Sequence, residues 1–146
     1  MIEIKHIYVK DSSFESPHTP EILDAQWNPN VDIKLHSLNT KMEGDDDLYE
    51  SVLHVTVTAK HDETTIFIVE IEQAGMFQIS ELMGEELDKA LQVECPNILF
   101  PYAREAISSM VSKGGFPQLL MAPINFESIY VQKNYAKNER VTSKPH

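Results

Sequence analysis

Cys95 is the residue whose type most invites catalysis. A thiolate nucleophile needs a neighbouring base or a helix N-terminus to lower its pKa, and Cys95 does stand just ahead of a helical pattern. No histidine lies within thirty residues of it, however, and no cysteine-enzyme signature surrounds it. A lone cysteine among proline, isoleucine and leucine is expected to be a small buried apolar residue. The six histidines (His6, His18, His36, His54, His61 and His146) form no i,i+4 pair on a helix and have no second cysteine to join them, so no zinc site is expected. "GDDD" at 44–47 lacks the alternating oxygen ligands and the terminal glutamate of a calcium loop and reads as a charged turn. "SKGG" at 112–115 places its glycines after the lysine, where they close a helix rather than cradle a phosphate. No catalytic residue, metal or cofactor is expected.

Apolar side chains call for an explanation instead. Phe14, Trp27, Phe77, Phe100, Phe116, Phe126 and Tyr130 fall mostly in or beside irregular segments. They are either satellite core beneath long loops or the lining of an elongated groove that accepts unfolded polypeptide. The residues alone leave both open.

The bulk numbers narrow the partners. The chain of 146 residues has the length of one domain and an ordinary globular composition, 42% hydrophobic and 24% charged. Net charge is −11, unevenly spread: 1–132 hold 8 basic against 22 acidic groups, or −14, whereas 133–146 hold Lys133, Lys137, Arg140 and Lys144 against Glu139, or +3. So acidic a body repels nucleic-acid phosphates and anionic lipid and favours a basic partner. One cysteine cannot form an intramolecular disulfide. "MIEIKHIYVKDSSFE" has charges every few residues, unlike a signal peptide. No apolar run approaches a membrane span. A cytoplasmic protein is expected, with 1–132 as its domain and 133–146 as a short basic, flexible tail.

Four segments alternate as half-buried strands. "IEIKHIYVK" sets Ile2 and Ile4 against Ile7 and Val9, a phase change that predicts a bulge or burial on both sides. "VDIKLH" puts Val31, Ile33 and Leu35 opposite Asp32, Lys34 and His36. "LYESVLHVTVTAK" and "TTIFIVEIEQ" follow, joined by the polar "KHDET", which predicts an antiparallel hairpin. A connection from Asp11 to Asn30 separates the first two strands. Ser80 is read as the N-cap of a first helix, "ISELMGEELDKALQ". The main helix carries Leu99, Ala103, Ala106, Ile107, Met110 and Val111 at helical spacing, with Pro101 near its first turn and Gly114-Gly115 at its end. A last amphipathic segment starts at Asn125. Strands first and helices afterwards predict an α+β fold with a four-stranded antiparallel sheet. Apolar residues on both faces of several strands predict burial against another subunit.

"CPNILFPYARE…MVSKGGFPQL…AP.NF" resembles the signature segment of the bacterial export chaperone family SecB, and "IYVKDSSFESP", "W.P.V.I.L", "YE.VL.VTVTA" and "TIF.VE..QAG.F.I" resemble its strands, together covering residues 2–132. The resemblance implies a four-stranded antiparallel sheet with a long helix and a C-terminal helix, assembled as a dimer of dimers. It implies an ATP-independent chaperone, not an enzyme, that holds unfolded secretory precursors and delivers them to the SecA translocation motor through that motor's zinc-binding C-terminal element. By matching positions, Asp11, Glu15, Ile68 and Glu70 would contact the motor. Val69, Ile71 and Gln73 would belong to the oligomer interface, and Trp27, Val31, Ile33, Leu35, Phe126 and Tyr130 to the client-binding surface. The basic C-terminus departs from the acidic, glutamine-rich tail common in the family. The rival readings are a SecB-like chaperone dedicated to a toxin–antitoxin pair and a small cysteine-dependent enzyme.

Overall fold

The computed structural model describes residues 1–24, 28–45 and 47–143, with side chains described as far as 134. Four strands, β1 (Ile2–Glu15), β2 (Asn30–Lys41), β3 (Leu48–His61) and β4 (Thr64–Ile79), form one antiparallel sheet in the order β1-β4-β3-β2. The helical part follows as α1 (Glu85–Lys89), a five-residue π-helical segment (Ala90–Glu94), α2 (Cys95–Lys113) and, after an irregular stretch, α3 (Phe126–Ser143). The boundary expected at residue 132 therefore falls within a helix.

Alternation decides the sheet's faces. Leu53, Val55, Val57 and Ala59 of β3 and Val69, Ile71 and Phe77 of β4 are buried on one face, where α2 lays Leu99, Ala103, Ile107 and Val111 over them. Their neighbours Thr56, Thr58, Glu70 and Glu72 point to the other, outer face. The helix covers β4 and β3 and leaves the edge strand β2 largely bare.

β1 differs from expectation in length. Its register slips between Ile4 and His6 and again between Val9 and Asp11. The first slip returns Ile7, paired with Gly75, to the face of Ile4, paired with Phe77, which accounts for the phase change in the sequence. The second lets the strand run on to Glu15, so the connection to β2 begins at Ser16 rather than Asp11. Phe14 anchors that extension, with its ring 6.0 Å from Phe67 and 6.3 Å from Phe116. It sits so close to Gly114 that a Cβ there would come within 2.3 Å of its ring.

Two helix signals are also corrected. Ser80 is not a cap: its N–H donates to the Met1 carbonyl and its own carbonyl accepts from the Met1 amine, which holds it to the sheet. The helix starts only after Gly84, at φ +59. Pro101 lies inside α2, because α2 already begins at Cys95 and Pro96 takes its first-turn position. The end of α2 is as expected: Gly115 adopts φ +91, and the Phe116 N–H reaches back to the Val111 carbonyl.

Candidate functional site

The bare strand β2 builds the most distinctive surface. It pairs with β3 without a register break, from Asn30↔Lys60 to Lys41↔Tyr49. Where the hairpin closes, the Met42 N–H donates to the Leu48 carbonyl at 2.8 Å. In an antiparallel pair such bonded positions recur at every second residue. The even-numbered residues of β2 therefore bond to β3, while Val31, Ile33 and Leu35 turn their N–H and C=O groups outward, away from the sheet. Among the described residues no backbone group outside β3 bonds to 30–37. Those same three residues put their side chains on the helix-side face, where α2 does not reach. Val31 is 40% exposed and Ile33 38% exposed.

Facing them stands α3. Its start is fixed by Asn125, whose Oδ1 accepts the Ser128 N–H at 3.0 Å. Phe126 packs edge-on against Phe100 of α2, with ring centres 6.0 Å apart. The Tyr130 hydroxyl donates to Asp88 Oδ2 at 3.0 Å, and Lys89 pairs with Glu127 at 3.0 Å. Between β2 and α3 lies a cleft of about 590 Å³ bordered by Ile33, Leu35, Phe126, Ile129 and Tyr130, with Leu53 among its lining and Ile124 beside α3. Five consecutive residues, 33–37, border it. Consecutive residues of both faces share that border, so the cleft runs along the strand itself.

Of the six residues expected on this surface, Ile33, Leu35, Phe126 and Tyr130 meet in the cleft, Val31 lies two residues further along the strand on the same face, and Trp27 lies outside the described residues. Phe126 and Tyr130 are 5% and 8% exposed, so they shape the wall and leave most of the free apolar area to β2, Ile124 and Ile129. The border residues Lys34, His36 and Lys133 were missed. Only β2's edge position gives the first two a share in the cleft, and strand order is not written in local alternation.

The outer face gathers the second group. Glu15 pairs with Ile68, Ser13 with Glu70 and Asp11 with Glu72. Asp11, Glu15, Ile68 and Glu70 thus sit together as an acidic patch around one half-buried isoleucine. Val69, Ile71 and Gln73 occupy the opposite face, beneath α2 of the same chain, and the Gln73 amide donates to the Tyr8 carbonyl at 3.1 Å beside the second bulge.

Further along the outer face Tyr8 hydrogen-bonds Glu50, whose other oxygen accepts from Lys10 at 3.0 Å. Burial first, then the Glu50 carboxylate, raises the Tyr8 phenol to about 12, and the Tyr8 bond with help from Lys10 lowers Glu50. The neutral phenol is the folded form, so its stabilising share is whole below pH 10 and fades as pH climbs toward 12. Glu50 acts in the opposite sense, present above the ordinary carboxylate range and lost as pH falls through its lowered value. Replacing Glu50 by alanine should bring the Tyr8 titration, followed by ultraviolet absorbance, down from 12 while burial keeps it above 10. It should cost about 1–3 kcal/mol in urea unfolding.

Cys95 is fully buried, and burial first, then Glu94, pushes its thiol up to about 12, the reverse of an activated nucleophile. Among the described residues no three His, Cys, Asp or Glu side chains converge on a metal position, and no helix is long and apolar enough to cross a membrane.

The SecB family model, described as preprotein translocase subunit SecB, matches residues 1–137. A protein-export protein SecB of Chromobacterium violaceum is 50% identical over 136 residues, 93% of this chain and 89% of the relative. That of Marinobacter nauticus is 49% identical over 136 residues, 93% of this chain and 81% of the relative. That of Legionella pneumophila is 45% identical over 141 residues, 97% of this chain and 86% of the relative. Among solved structures, a Mycobacterium tuberculosis SecB-like chaperone, in complex with a peptide from the HigA1 antitoxin, matches with a TM-score of 0.71 at 13% identity, over 84% of this chain and 90% of that one. At that identity the likeness is one of fold. A family match over nearly the whole length, with relatives at half identity, makes this chain a member of the SecB family.

Proposed function

We propose that this chain is a cytoplasmic preprotein export chaperone that holds unfolded precursors in the cleft between β2 and α3 and passes them to the SecA motor. The observation that carries the reading is the coincidence, on one edge strand, of free apolar side chains and outward backbone groups at Val31, Ile33 and Leu35. A polypeptide laid along that edge gains backbone hydrogen bonds that do not depend on sequence, while pockets beside it take apolar side chains. Each large apolar anchor contributes roughly 1.5–3 kcal/mol. A few such anchors, less the cost of ordering a flexible chain, give a hold that needs no nucleotide to release. The protein should therefore delay refolding of a denatured precursor and suppress its light scattering without ATP. Refolding at an unchanged rate in its presence would refute the reading.

The acidic patch of Asp11, Glu15, Ile68 and Glu70 is suited to a basic docking module, and we assign it to the motor's zinc-binding C-terminal element, so that the zinc belongs to the partner. Ile68→Asp or Glu70→Lys should weaken motor binding about tenfold or more in a titration, with precursor holding unchanged. Equal loss of both activities would refute the division between the faces.

Assembly as a dimer of dimers is supported by exposed apolar groups away from the cleft, Ile4 and Val9 on edge strand β1 and Tyr102 on α2. It places Val69, Ile71 and Gln73 just beneath the helices that would meet at its centre. Several joined subunits would hold one long client with greater avidity than one cleft alone. A chaperone dedicated to a toxin–antitoxin pair is the weaker reading, because it leans on a relative at 13% identity against export chaperones at 45–50%.

A further inference from the structure

The acidic patch is shared between two strands that are held very differently. Ile68 and Glu70 lie on β4, which is paired on both sides, whereas Asp11 and Glu15 lie on β1, which pairs within the chain only with β4. Both also lie beyond the second register slip, between Val9 and Asp11. From Asp11 to Glu15 the strand reads Asp-Ser-Ser-Phe-Glu, and every side chain there except Phe14 is exposed. Phe14 alternates to the face opposite the two carboxylates, where it pairs with Val69. Its ring stacks on Phe67 with 21° between the planes and leans on Phe116, and those two rings are themselves 5.2 Å apart.

Gly114 closes the other side of this cluster. Its φ of −74 is helical and open to any residue, unlike that of Gly115 at +91. What forbids a side chain at 114 is the Phe14 ring, whose atoms fill the space a Cβ would need. Gly115 lets α2 stop, and Gly114 lets Phe14 in.

We infer that Phe14 and Gly114 are positioning residues for motor docking: the ring seated under Gly114 fixes Asp11 and Glu15 beside Ile68 and Glu70. The inference rests on the reading that this patch takes the motor's zinc-binding element. A strand end secured by one packed side chain opens locally at low cost once that side chain is displaced. β1 carries two of the patch's three carboxylates, so its opening would leave Ile68 in place with a much weaker field for a basic module. The cleft between β2 and α3 would be untouched, because the cluster is not part of its border.

A zinc-loaded synthetic peptide of the motor's C-terminal element, titrated by calorimetry against the full chain, tests this. Gly114→Ala should weaken its binding about three- to tenfold, speed amide exchange at residues 12–15, and leave the holding of a denatured precursor unchanged. In Gly114→Ala/Phe14→Leu the shorter side chain clears the added methyl, so docking should recover toward the original affinity. That non-additive recovery is what a general loss of stability would not produce. Phe14→Ala adds no atoms and carries the test by itself should Gly114→Ala fail to fold; it should weaken docking to a similar extent. Unchanged docking in Gly114→Ala or Phe14→Ala, no recovery in the double variant, or equal loss of precursor holding would each overturn the inference. Glu70→Lys measured in parallel separates the two claims. If it alone weakens docking, only the positioning role falls; if neither it nor Gly114→Ala does, the patch reading falls as well.

Discussion

Val69→Asp or Ile71→Asp should unfold the chain. Both side chains are sealed between sheet and α2, Val69 at 0% and Ile71 at 1% exposure, within a single copy of the protein. Removing either forfeits roughly 1.5–3 kcal/mol of burial. The unpaired carboxylate then costs several kcal/mol more, or stays protonated at a similar cost. A total above about 4 kcal/mol is a large part of the 5–15 kcal/mol that holds a domain together. Circular dichroism and urea titration should show a lost or strongly weakened transition, with any loss of the proposed assembly following from it. A variant that kept its transition and lost only its partners would show that these residues act on assembly alone, as the family resemblance by itself would suggest. The location beneath α2 makes the sheet face and the proposed assembly inseparable for so drastic a change.

The second large effect concerns binding without folding. Ile33→Asp removes an anchor that is already 38% exposed, so unfolding free energy should fall by only about 1 kcal/mol. A lost anchor of roughly 1.5–3 kcal/mol corresponds to about ten- to a hundredfold weaker precursor binding. Adding Val31→Asp, two residues along the same face, should deepen the loss. Anisotropy with a labelled unfolded precursor reads the first effect and urea titration the second. Unchanged precursor affinity in the double variant would remove β2 from the binding surface.

Much of this arrangement was legible in the residues. The alternation of β3 and β4 gave the division between Val69 and Ile71 on one face and Ile68 and Glu70 on the other, because both strands are central and only one of their faces is dry. Gly114-Gly115 marked the end of α2, because a left-handed residue there favours glycine. What failed depended on partners distant in sequence. Ser80 has the composition of a cap, yet it is claimed by Met1 at the far end of the chain. Ser12 and Ser13 look like a turn, yet they pair with Ile71 and Glu70 because Phe14 is drawn into the aromatic cluster beside them. The cleft was half legible: Ile33 and Leu35 stood out as apolar, but the place of Lys34 and His36 on its border follows from β2 being an edge, which topology alone decides.

Amide hydrogen exchange with and without a bound unfolded precursor tests the central claim most directly. A client laid along the open edge of β2 should slow exchange at the outward amides of Val31, Ile33 and Leu35 and along α3 from Phe126 to Tyr130, while leaving the outer-face strand around Glu70 unchanged. Protection confined to β1 and β4, with β2 exchanging as in the free protein, would contradict it.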